Sequence, residues 1–82
     1  MKILNKPEDL DKYESKLVRV ILASCRMITT SQLSKHTKFS WKICKRSLDN
    51  LYLNEIICKK DLKNRIYWYS HKHKERLEQR FN

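Results

Sequence analysis

The chain contains no glycine among its 82 residues. Glycine is the residue that adopts positive φ without steric cost. Turns and helix ends that need left-handed backbone are therefore expected to use Asn, Ser, Asp, Lys or Thr. No glycine-rich loop can cradle a phosphate, which removes nucleotide-hydrolysing and dinucleotide-binding readings. The length allows one domain with one small core. An apolar fraction of 40% makes wholesale disorder an unsuitable description.

The stretch from Thr30 to Ile57 organises the remainder. It predicts two helices joined by a tight turn, the second of them basic. Thr30 or Ser31 is placed to cap the first, about Ser31 to His36, with Leu33 directed inward. Thr37-Lys38-Phe39 forms the turn and Phe39 anchors it in the core. Ser40 caps the second helix, about residues 40–53. Projected at about 3.6 residues per turn, Ile43, Cys44, Ser47, Leu48 and Leu51 share one side and are assigned to the core. Lys42, Lys45, Arg46 and Asp49 share the opposite side, with Trp41 and Tyr52 at the boundaries.

Around this centre, residues 1–6 are expected to form an arm, 7–69 the core and 70–82 a C-terminal helix. Pro7 suits a first helical turn, with Glu8, Asp9 and Asp11 at its positive end. Apolar spacing predicts a helix from about Glu8 to Cys25, with a band wide enough for burial on more than one side. Met27-Ile28-Thr29 is a short extended link. After Asn54 the period becomes extended: Ile56–Asp61 and Arg65–Tyr69 pair as a hairpin about Leu62-Lys63-Asn64, with Asn64 best able to take positive φ. Alternation along the second strand sends either Trp68 or Tyr67 and Tyr69 to the core, not both. In the tail, Ser70 can cap a helix on which His73, Leu77 and Phe81 recur at helical spacing. So polar a helix is marginal alone, so Leu77 and Phe81 must dock on the first helix or a second subunit.

The formal charge of +10 and a pI of about 9.8 point to a polyanion such as nucleic acid. The distribution is more informative than the total. No acidic residue falls between Glu14 and Asp49, an interval holding Lys16, Arg19, Arg26, Lys35, Lys38, Lys42, Lys45 and Arg46. No signal-peptide pattern and no apolar run of membrane-spanning length is present, so a cytoplasmic location is expected. Cys25, Cys44 and Cys58 lack metal-site or redox-motif spacing and read as small apolar residues, with a disulfide open only for a disulfide-rich intracellular environment. His36, His71 and His73, even with Cys58, do not supply paired metal ligands. A cysteine nucleophile needs a base and an orienting group, and Cys44 sits on the buried face. With no spaced carboxylate pair or Ser-His-Asp pattern, an enzyme is not expected, nor a cofactor or small-molecule ligand.

The order helix, short strand, helix, helix, strand, strand, helix, with a basic third helix and basic hairpin, resembles the winged helix-turn-helix family. The likeness covers about Tyr13 to Tyr69 and rests on Leu33, Thr37-Lys38-Phe39-Ser40, Ile43, Leu48, Leu51 and Ile56-Ile57. Lys38 stands where the family commonly has a turn glycine, and Asn54-Glu55 replaces the glycine before the wing; Asn54 can supply the left-handed helix end. The small, Lys/Ile/Asn-rich chain is similar to single-domain transcription regulators of archaea and their viruses. The implied fold is mainly helical α+β: a three-helix core, a hairpin wing at about 58–68 and an additional C-terminal helix.

The resemblance implies that the third helix enters the DNA major groove while the wing lies on the flanking backbone or minor groove. Carried over by position, Trp41, Lys42, Lys45, Arg46 and Asp49 face bases, with Arg46 able to fork onto guanine. Asp49 serves to position Lys45 or Arg46 more readily than to read cytosine. Ser31, Gln32, Lys35 and Ser40 meet phosphates, and Lys63 and Arg65 sit at the wing. The expected function is a sequence-specific double-stranded DNA-binding regulator, most simply a repressor. A homodimer would pair on a symmetric operator through Leu10, Tyr13, Leu77 and Phe81. The alternatives are a winged-helix protein-interaction module and a nucleic-acid-binding accessory factor in replication or packaging.

Overall fold

The structure, a computed structural model, describes residues 10–79. The expected arm, the Pro7 helix start and the Phe81 contact lie outside the described residues. The first helix, α1, spans Lys12–Ser24. It begins later than the expected start at Glu8 because a reciprocal cap stops it. Asp11 accepts from the Glu14 amide at 2.8 Å, and the Glu14 carboxylate accepts from the Asp11 amide at 3.2 Å. Two otherwise unsatisfied donors are thereby paired. Only Leu17 and Ile21 of α1 are buried and Leu22 is exposed, so the helix buries one face rather than the wider band expected.

Strand β1 is Ile28–Thr29, and helix α2 is Thr30–Thr37. The cap of α2 is Thr29, not Thr30 or Ser31: Thr29 Oγ1 accepts from the Gln32 amide, and Gln32 Oε1 accepts from the Thr29 amide. Thr30 is released for another task. Its buried hydroxyl accepts from Trp68 Nε1 at 2.9 Å. The turn that follows takes the left-handed conformation at Lys38, with φ 71°. It is laced by Ser34 Oγ donating to the Phe39 carbonyl at 2.7 Å and the Phe39 amide donating to Thr37 Oγ1 at 3.3 Å. Phe39 is half-buried, edge-on to Tyr13 with ring centroids 4.9 Å apart.

Helix α3 is Trp41–Leu53, capped as expected by Ser40 Oγ accepting from the Ile43 amide at 3.2 Å. Cys44, Ser47, Leu48 and Leu51 are buried, whereas Ile43, expected in the core, is half-buried. At the other end, Asn54 keeps φ −92° and Glu55 takes the left-handed position at φ 60°, one residue beyond the expected site. The Glu55 amide then donates to the Tyr52 carbonyl and the Ile56 amide to the Leu51 carbonyl, each at 2.9 Å. This pair of bonds closes the last carbonyls of the helix. A Cβ in this backbone region costs roughly 1–2 kcal/mol. Glu55→Gly is accordingly expected to stabilise the fold by about 1 kcal/mol, after the extra freedom of the unfolded glycine is subtracted. An unchanged or lower urea midpoint for this variant would contradict the assignment.

Strands β2, Ile57–Leu62, and β3, Arg65–Ser70, form an antiparallel hairpin with Leu62 opposite Arg65. The turn is only Lys63-Asn64, at φ 47° and 67°, the two positive values that a two-residue hairpin requires. The sheet order is β1-β3-β2, so β3 is central. A short 3-10 turn at His71–His73 leads into helix α4, Lys74–Glu78. Ser70 precedes this turn without the expected side-chain cap.

The described residues thus form an α+β fold of four α-helices and a three-stranded antiparallel sheet. The main core lies between the helices and one sheet face, where Leu17, Ile21, Leu33, Leu48, Leu51 and Trp68 pack together. The opposite face is not open. Tyr69 and Cys58 are covered there by Leu77, with Met27 at the edge. Trp68 and Tyr69 are both buried, against the expectation that only one side of β3 would be. The reason is the second, smaller layer supplied by α4. Leu77, 4% exposed, packs against Cys58 and Tyr69 of its own chain, so these contacts lie on the sheet rather than on α1. Arg76 Nη2 completes the docking by donating to the Cys25 carbonyl at the left-handed end of α1, at 2.9 Å.

Candidate nucleic-acid interface

The helical period of α3 separates a buried arc from an exposed one. With Cys44, Leu48 and Leu51 in the core, the outward arc carries Trp41, Lys42, Lys45, Arg46 and Asp49. Trp41 is 53% exposed, Lys42 and Arg46 are exposed, and Lys45 and Asp49 are half-buried. Lys45 Nζ donates to Asp49 Oδ2 at 2.8 Å across one helical turn. So exposed a pair contributes about 0.2–1 kcal/mol at most. Its larger effect is to fix the lysine head above the helix surface. Asp49 therefore acts on Lys45, the positioning role expected for it, and leaves Arg46 without a carboxylate partner among the described residues.

Ser31, Gln32 and Lys35 are exposed on α2, and Ser40 is exposed at the start of α3. Two of these side chains already have structural duties. Gln32 Oε1 holds the α2 cap and Ser40 Oγ holds the α3 cap. Both oxygens act as acceptors there. The Gln32 amide NH2 and the Ser40 hydroxyl proton remain able to donate outward. Lys63 and Arg65 are exposed at the hairpin tip.

These elements meet around one groove of about 490 Å³. It is lined by Thr29, Thr30 and Ser31 from the start of α2, Trp41 and Lys45 from α3, and Asn64, Arg65 and Ile66 from the hairpin. Ser31, Trp41, Lys45 and Arg65 of the expected residues are thus brought together. Lys42 and Arg46 lie farther around α3, Lys35 on the outer side of α2, and none of them lines this groove. Sequence reasoning missed Thr29, Thr30 and Ile66 as lining residues. The sequence assigns Asn64 only to the turn. The signal for Asn64 was available, because a two-residue turn puts its second residue at the tip beside Arg65.

The C-terminal end of α3 has a different character. Leu53 is exposed, and the Lys59 ammonium lies 4.7 Å from the centroid of the Tyr52 ring. Cys44 is fully buried; burial pushes its thiol up, against an opposing contact from the Thr37 hydroxyl at 3.9 Å. All three cysteines are free. Among the described residues no helix is long and apolar enough to cross a membrane. No family model, curated protein or solved structure matches this chain.

Proposed function

We propose that the chain is a winged helix-turn-helix protein that binds double-stranded DNA and regulates transcription, most simply as a repressor. In this reading α3 enters the major groove and the β2–β3 hairpin lies along the flanking backbone or minor groove. Arg46 reads guanine through its two-pronged guanidinium, and Lys42 and Lys45 add less directional contacts. Ser31, Gln32, Lys35 and Ser40 fix the register through phosphates. Lys63 and Arg65 follow the duplex beyond the helix. Twofold pairing of the chain would double these contacts on a symmetric operator.

One observation carries the reading: the start of α3 and the hairpin tip converge on a common groove holding Lys45 and Arg65, with Lys42 and Arg46 exposed farther around the same helix. A formal charge of +10 adds the long-range attraction for a polyanion. The test is a gel shift on random duplex DNA at about 50 and 200 mM salt. With roughly six phosphates neutralised, affinity is expected to fall about a thousandfold between the two. A duplex affinity indifferent to salt would contradict the proposal. Preference for single strands or RNA in competition would instead favour an accessory role in replication or packaging. A palindromic consensus selected from random duplexes would support the dimer.

A second reading is favoured by the exposed Tyr52 and Leu53 at the end of α3. Apolar side chains there suit a protein partner better than phosphate. Absence of duplex binding at low salt would leave this interaction module as the stronger account.

A further inference from the structure

The cleft below the end of α3 holds an arrangement that the DNA reading does not use. Cys58 on β2 and His71 after β3 are 13 residues apart, yet Cys58 Sγ lies 3.3 Å from His71 Nδ1. The other ring nitrogen, His71 Nε2, lies 3.1 Å from the Glu55 carbonyl. A carbonyl can only accept, so Nε2 carries the proton and donates to it. In the neutral ring, Nδ1 is then the nitrogen without a proton, and it faces the Cys58 thiol. The left-handed backbone at Glu55 ends α3 and places this carbonyl. A thiol, a base and a group orienting the base are thus in sequence, as an activated sulfur nucleophile requires.

The three lie in a cleft of about 450 Å³, rimmed by Tyr52 and Leu53. Cys58 is 7% exposed, which favours a small electrophile over a bulky one. Burial pushes the thiol up, Lys74 of α4 pulls it down, and Glu78 of α4 pushes it up. Tyr69 stands beside it on β3, its hydroxyl donating to Glu78. Tyr69 is itself held in the neutral form, first by burial and then by that carboxylate. The sulfur is consequently a thiol at neutral pH and depends on a base for activation.

We propose that Cys58 and His71 form a modification site at which the imidazole activates the thiol toward small hydroperoxides. The Sγ–H proton passes to His71 Nδ1. The sulfur electron pair attacks one peroxide oxygen, an S–O bond forms and the O–O bond breaks. The departing oxygen takes the proton from His71 and leaves as water when the oxidant is hydrogen peroxide. Sulfur is oxidised by two electrons to the sulfenic acid and the peroxide is reduced. The modified sulfur sits against Tyr69 and Leu77, which puts a polar atom under α4.

The other cysteines provide internal controls. Cys25 is exposed but has no imidazole at hydrogen-bond distance among the described residues, and Cys44 is buried. The experiment treats the full chain with hydrogen peroxide, removes the oxidant, unfolds the chain in the presence of dimedone so that every sulfenic acid is reachable, and reads each cysteine by mass spectrometry. In the unaltered protein Cys58 is expected to react faster than the more exposed Cys25; the reverse order overturns the proposal. In His71→Gln the Cys58 rate is expected to fall about tenfold or more, with the Cys25 rate unchanged. An unchanged Cys58 rate in that variant also overturns it. Labelling of Cys44 reports unfolding of the variant, in which case the order of Cys58 and Cys25 in the unaltered protein decides.

Discussion

Trp68→Ala is expected to remove most of the stability of this domain. Trp68 is fully buried on the central strand β3, opposite Ile28 of β1 and Lys59 of β2. Its ring lies in the main core, and its indole donates to Thr30 at the start of α2. Truncating a buried tryptophan costs about 3–5 kcal/mol. The change also leaves the buried Thr30 hydroxyl without its partner, which adds to the cost. A domain of this size has roughly 4–12 kcal/mol in all, at ~0.05–0.15 kcal/mol per residue. With a urea slope of about 1 kcal/mol per molar, the midpoint should drop by about 3 M. Trp68→Phe, which retains a ring and loses the indole hydrogen bond, is expected to fall between the two. A loss below about 1.5 kcal/mol for the alanine variant would show that the core is not centred on this side chain.

Arg46→Ala and Lys35→Ala are expected to weaken duplex binding in different ways. Arg46 is exposed on the outward arc of α3, where the neighbouring carboxylate, Asp49, is engaged by Lys45. Under the DNA reading its loss costs about 1–3 kcal/mol on the preferred site, or roughly 5- to 150-fold, and flattens the preference between sequences. Lys35 is exposed on α2, and under the same reading it meets phosphate, so its loss is expected to weaken all duplexes alike and lower the salt slope by about one. Equal losses on every sequence from both substitutions would sink the assignment of readout to α3. Neither side chain is buried, so the urea midpoints of these variants should stay close to that of the unaltered protein.

Much of the local structure was legible without coordinates, because it follows from interactions within a few residues. Ser40 caps α3 because its hydroxyl reaches an amide three residues on. The two faces of α3 follow from helical periodicity. The hairpin follows from two extended runs and an asparagine that tolerates positive φ. Even the Lys45–Asp49 pair is a contact of one helical turn. Neighbouring options of nearly equal energy were less well resolved. Thr29, Thr30 and Ser31 can each cap a helix, and Asn54 and Glu55 can each end one.

Those choices were made by contacts between distant parts of the chain. Thr30 is drawn inward by the indole of Trp68, so the cap falls to Thr29 with Gln32 as its reciprocal partner. Leu77 found its place on the far side of the sheet because β3 and β2 present Tyr69 and Cys58 there, closing a face that strand alternation left open to either outcome. The groove beside Lys45 exists because the hairpin folds back to the starts of α2 and α3, and the Cys58–His71 pair because β2 and β3 align in register. Capping and periodicity act over one turn of chain and can be read along it. Burial and cross-strand pairing act through space, so the partners they bring together are known only when the chain has closed on itself.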